Sequence, residues 1–62
     1  MKLKKAKVLA EIFYEVSEQF EDKSTEFCLE VAAERARERG YAHTDCSDIA
    51  EALFVVTPKD KK

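Results

Sequence analysis

Apolar residues recur along the first third of the chain at Ala6, Leu9, Phe13, Val16 and Phe20, spaced three, four, three and four. That spacing returns to one side of an α-helix at every turn, so it predicts an amphipathic helix over about residues 3–21. Ile12 widens the stripe, while Val8 and Tyr14 lie towards its flanks. No Gly or Pro occurs before Gly40, and Ala, Glu, Lys, Leu and Arg dominate, so helix is expected through most of residues 3–39. Asp22, Ser24 and Thr25 are helix-capping types, and Glu26 would occupy a favourable first turn. They predict a break and a second helix over about 25–39. One continuous helix from Ala6 to Arg39 is the alternative, since no residue there sterically forbids it. The apolar positions of the second helix are Cys28, Leu29, Val31, Ala32, Ala33 and Ala36, with Phe27 at its start. The three alanines allow another helix to approach closely.

Gly40 is placed to end this helix in a backbone conformation open to glycine. Tyr41, Ala42, His43 and Thr44 then read as a short extended strap. Asp45 is the expected N-cap of a third helix over about 46–56, and Asp48, three residues on, completes a capping-box-like pair. Ile49, Ala52, Leu53 and Val56 form its inward stripe. Thr57-Pro58 should stop it, because proline disfavours helix in the residue before it. Residues 1–5 and 58–62 are expected to fray. The fold class is therefore all-α: one three-helix domain over 1–62, with the third helix folded back over the end of the second.

Size changes this picture. The chain has 62 residues, 45% of them apolar and 39% charged, which allows one domain and excludes a multi-part enzyme. A domain of about 60 residues buries only about 60% of its unfolded surface and is marginal alone. Two cysteines and one histidine offer little by way of disulfides or metal, which leaves a partner chain, most simply a second copy. Three short helices cannot hide all of Ile12, Phe13, Phe20, Phe27, Phe54 and Val55, so these are the candidate interface residues.

Charge is unevenly spread. Residues 1–7 carry a net +4, residues 8–58 a net −8 and residues 59–62 a net +2. An acidic body disfavours lying along a phosphate backbone, although the basic ends could touch nucleic acid. Glu11, Glu15, Glu18 and Glu21 line a polar face of the first helix, and a basic partner could read them; a solvated face is the plainer account. On the second helix Arg35 and Arg39 share a face, with Arg37 pointing away. The row Glu26, Glu30, Glu34 and Glu38 repels itself, relieved by Glu34 with Arg37 and Arg35 with Glu38 at i,i+3.

Candidate chemistry is sparse. His43 and Cys46 have a chelating spacing, but Cys28 lies about 18 Å along the helix from its end, which opposes both a three-ligand zinc site and a Cys28–Cys46 disulfide. Cys28 reads as a small buried hydrophobe, and His43 as a strap residue with a local hydrogen bond. Cys46 at a helix start favours a reactive thiol, and the carboxylates of Asp45 and Asp48 oppose it. No phosphate loop, nucleophile elbow or paired-histidine motif is present, so no enzyme activity, cofactor or metal is expected. No run of 18 apolar residues occurs, and no apolar stretch follows Met1-Lys-Leu-Lys-Lys, so neither a membrane span nor a signal peptide is expected, and the location is expected to be cytoplasmic.

Residues 32–53, a helix ending in Gly40, a strap, and then Asp48-Ile49-Ala50-Glu51-Ala52 on a capped helix, resemble the corner at the end of a histone fold. They are also similar to the lid helices of AAA-type ATPases and to the small helical domain at the end of protochlorophyllide reductase subunits. Histones carry basic residues and a threonine after the glycine, where DNA phosphates bind. Here Tyr41, Ala42 and His43 follow, and only Thr44 fits. The resemblance therefore implies a helix–strap–helix corner and not DNA binding. The function expected from these observations is a small non-catalytic interaction or regulatory module, homodimeric or bound to another protein. The alternatives are a histone-like nucleic-acid-binding protein, an acidic inhibitor of a basic protein site, and a thiol or metal protein built on His43 and Cys46.

Overall fold

Each helix end leaves backbone groups without intrahelical partners, and local hydrogen bonds answering that need divide this chain. The computed structural model describes residues 1–56; the expected stop at Thr57-Pro58 and the lysine-rich tail lie outside them. Three helices form: α1 (Leu3–Gln19), α2 (Thr25–Glu38) and α3 (Cys46–Val56), with no strand among the described residues. The break between α1 and α2 falls where the cap residues predict it. The Ser24 hydroxyl accepts from the Phe27 N–H at 3.2 Å. At the far end of α2, Gly40 adopts φ +107°, its N–H donates to the Arg37 carbonyl at 3.2 Å, and the Tyr41 N–H donates to the Ala36 carbonyl at 3.0 Å. Those two bonds are the paired closure of a Schellman motif. At the start of α3 the box is reciprocal. The Asp48 N–H donates to Asp45 Oδ1 at 3.2 Å, and the Asp45 N–H donates to Asp48 Oδ2 at 3.1 Å.

Three local expectations are corrected. α1 ends at Gln19, two residues early: Phe20 leaves the helix at φ −123°, ψ 57°, and its carbonyl turns to accept the Lys23 N–H at 3.0 Å. Continuing through Glu21 and Asp22 would add acids to the negative end of the helix. At its start α1 is helical from Leu3, as the apolar spacing predicts: the Ala6 N–H bonds the Lys2 carbonyl at 3.0 Å and Ala6 is wholly buried. The strap is a turn and not an extended segment, closed by the Thr44 N–H donating to the Tyr41 carbonyl at 3.1 Å. His43 stands exposed on that turn, without the expected local hydrogen bond among the described residues.

The helices pack in two layers. The thinnest extent of the Cα trace is 16 Å, close to one helix backbone about 4.6 Å across plus one interaxial spacing of about 8–10 Å. α1 packs against both α2 and α3. It contributes Leu9, Ile12 and Val16 to the seam, and α3 contributes Ile49. The side chains that α2 buries in the core are small, Cys28, Ala32, Ala33 and Ala36, with Leu29 and Val31 partly buried against its edge, so neighbouring helices come close against it. The Cys28 thiol also reaches the Phe20 carbonyl, at 4.0 Å, across the α1–α2 corner.

α1 differs from its neighbours in how its ends are served. Lys2 at its N-cap makes no side-chain capping bond, its first turn holds no acid and its last turn holds no base. Its charges run the other way, with Lys4, Lys5 and Lys7 near the positive helix end and Glu15 and Glu18 near the negative one. Lys4 and Lys5 in the first turn and Glu18 in the last each cost about 0.3–1 kcal/mol at an exposed site, and Lys7 and Glu15, a turn further in, cost less. α2 instead has Glu26 in its first turn and Arg35 and Arg37 in its last.

Two substitutions test this account of the local structure by urea denaturation. Nothing lies within 4 Å of the position a Gly40 Cβ would take, so only its positive φ demands glycine. Gly40→Ala should therefore lower stability by about 1 kcal/mol and Gly40→Asn by less; equal stability of all three would refute the motif. Thr44 is 2% exposed, and its hydroxyl has no hydrogen-bond partner among the described residues. Thr44→Val should raise stability by about 1 kcal/mol, and a loss of that size would mean that the hydroxyl is bonded.

Candidate interaction surface

The six sequence-derived interface residues divide by burial. Ile12 is corrected: it is fully enclosed between the helices and has no surface to offer. Phe13 and Phe20 are half-buried, with their rings against the edge of the core. Phe27, Val55 and Phe54 are exposed by 38, 39 and 70% respectively. The physical reason for Ile12 is that α1 is flanked by two helices. Its buried arc is wide enough to take in the position beside the phenylalanine stripe, and a compact β-branched side chain fits there where a ring does not.

The structure joins these rings in pairs. Phe20 and Phe27 meet edge to face, centroids 5.3 Å apart, at the α1–α2 corner, with the Lys23 ammonium 5.7 Å from the Phe27 ring centroid. Phe13 and Tyr14 meet edge to face at 6.1 Å on α1. Phe54 and Val55 sit on the last turn of α3. Sequence reasoning left out Leu3 and Tyr14, which are 54 and 50% exposed on the outer side of α1. Their signal is in the chain nonetheless. Leu3, Lys7, Tyr14 and Glu18 step by four, seven and four, which keeps them on one helix face.

Open grooves mark the surface of the described residues. One, of about 460 Å³, lies between α2 and the start of α3 and is lined by Glu26, Leu29, Glu30, Cys46, Ser47 and Ala50. Another, of about 220 Å³, lies on the outer side of α1, where Tyr14 stands among Glu11, Glu15 and Glu18. Both set carboxylates beside apolar surface, a lining suited to a cationic or amphipathic partner.

The arginines of α2 take a structural part. The expected i,i+3 pairs within α2 give way to longer reaches: Arg35 donates to the Gln19 side-chain oxygen, Arg37 Nη1 donates to the Thr44 carbonyl at 2.7 Å, and Arg39 lies 3.5 Å from Glu15. They tie the end of α2 to α1 and to the turn, because both come within reach of long side chains once the helices pack. Cys28 is buried and Cys46 half-buried, with neither in a disulfide. Among the described residues no group of three or more His, Cys, Asp or Glu is placed to hold a metal, and no helix is long and apolar enough to cross a membrane. Comparisons of the chain with protein-family models, curated proteins and solved structures find no match.

Proposed function

We propose that this protein is a small non-catalytic interaction module that works as a homodimer and regulates through its helix faces. The observation that carries this reading is the displacement of large apolar side chains from core to surface. Among the described residues, Leu9, Ile12, Val16 and Ile49 are the large hydrophobic side chains buried almost completely, whereas Tyr14, Phe27 and Leu3 keep between 38 and 54% of their surface in water. Isolated exposed apolar residues need no explanation, but rings and aliphatics on several helices of one small domain favour a docking role. The grooves support a binding role, because both gather carboxylates beside apolar groups. Two thiols outside any disulfide fit a reducing compartment such as the cytoplasm.

Association with a second copy links stability to concentration. The melting temperature, followed by circular dichroism, should rise with protein concentration, and sedimentation velocity should show a shift from monomer to dimer. Over a hundredfold range a fully dimeric fold gains about 2.7 kcal/mol by mass action. A melting temperature and sedimentation coefficient unchanged over that range would overturn the homodimer.

A further inference from the structure

The outward face of α1 is divided by charge. Lys4 and Lys7 stand in its first half, Glu11, Glu15 and Glu18 in its second, and all five are exposed. Leu3 and Tyr14 stand on the same face, which spans an arc of about 120°. This order opposes the helix's own dipole, and the uncapped N-terminus does nothing to offset it. A helix stabilised only from within would carry the reverse order, as α2 does. The misplacement disappears when a second α1 lies alongside in the opposite direction. The lysine end of each helix then faces the glutamate end of the other, and the two dipoles are antiparallel. A parallel pair would set lysine on lysine and glutamate on glutamate, so only the antiparallel arrangement is complementary.

We propose that two copies of this protein associate through the outward faces of α1, antiparallel about a twofold axis. This rests on the homodimer reading above and assigns its surface. The register follows from the two apolar side chains on that face. Setting Leu3 of each copy against Tyr14 of the other places the axis between residues 8 and 9. In that register Lys7 lies one residue, about 1.5 Å along the axis, from the level of the second copy's Glu11, and Lys4 two residues, about 3 Å, from that of its Glu15, offsets that a lysine side chain spans. The same pairs recur on the other side of the axis, as an isologous interface requires. Glu15 already lies 3.5 Å from Arg39, but both side chains are more than half exposed, and such a surface pair holds the carboxylate only weakly. The face is small. A 17-residue helix is about 25 Å long, so the interface falls below roughly 1,200 Å² in total and belongs to the weak, transient class. Association is accordingly micromolar or weaker, and because its charges are exposed it weakens about tenfold or more as salt rises from about 50 to 500 mM.

The test uses the full chain in three forms: wild type, the K4E/K7E variant and the E11K/E15K variant. Both variants place charge in accord with the α1 dipole, which offsets the loss of the exposed Arg39–Glu15 contact in E11K/E15K, so both should fold, as circular dichroism at high dilution will check. Sedimentation velocity at low salt should show wild-type dimer, at least tenfold weaker self-association of each variant alone, and dimer restored when the two variants are mixed. Self-association of both variants equal to wild type would overturn the α1 face while leaving the homodimer standing on another surface. Two monomeric variants that fail to associate when mixed would overturn the antiparallel lysine–glutamate pairing. A wild type that remains monomeric at every concentration and salt would overturn the homodimer itself, leaving the acidic half of the face to a basic partner protein.

Discussion

The alanine face of α2 sets the geometry of the rest. Ala32, Ala33 and Ala36 offer almost no side-chain volume, so the gap between α2 and its neighbours is narrow. Leu9, Ile12, Val16 and Ile49 are compact enough to fill it at interior packing density. A phenyl ring is not, and with only two helix layers no second interior exists to receive one. Phe13 and Phe20 therefore settle at the margin of the seam, and Phe27 beyond it. The exposed rings follow from how the core is packed: a wider α2 face lined by leucines would have drawn them inward and left a polar exterior.

The helix ends divide the chain in a second way. α2 and α3 are specified locally. Ser24, Gly40 and the Asp45–Asp48 box each close a helix end with bonds spanning five residues or fewer. α1 has no such support at its start, and its charges oppose its dipole. It is held by the seam and by contacts from outside itself, namely Arg39 beside Glu15, Arg35 on Gln19 and the Lys5 ammonium 5.8 Å from the Tyr41 ring centroid. The α2 arginines that reach it lie near its acidic end, where positive charge is favourable.

That division also explains what could be read from the chain. The three elements, the break at Ser24 and the role of Gly40 were legible because each depends on residues within a few positions of one another. The choice between Ile12 and Phe13 was not. Both lie near the apolar stripe, and only the width of the gap opposite α1 decides between a compact and a planar side chain. The fold-back turn was hidden for a similar reason. Tyr41-Ala42-His43-Thr44 has no turn-forming dipeptide, and the segment bends because Arg37 holds the Thr44 carbonyl and the Thr44 side chain is drawn inside. Of the candidate surface, Phe27, Phe54 and Val55 were legible as excess apolar residues. Tyr14 and Leu3 were passed over because they lie off the buried stripe, although that position is what leaves them available.

A domain this small has little stability to spare, and α1 is the element whose formation depends most on what surrounds it. Anything that neutralises its lysines at one end and its glutamates at the other favours helix over coil there, and with it the seam that α1 completes. Binding on the outer face and folding of the inner face are then linked through the same 17 residues. A partner with the opposite charge order would stabilise the whole domain without touching its core, since whatever binds the folded state alone draws the equilibrium towards it. A weak contact suffices for this, because a shift of 1.4 kcal/mol in a marginal fold changes the folded-to-unfolded ratio about tenfold. The charge order of α1, unfavourable within a single helix, thereby makes the stability of the domain responsive to what lies against it.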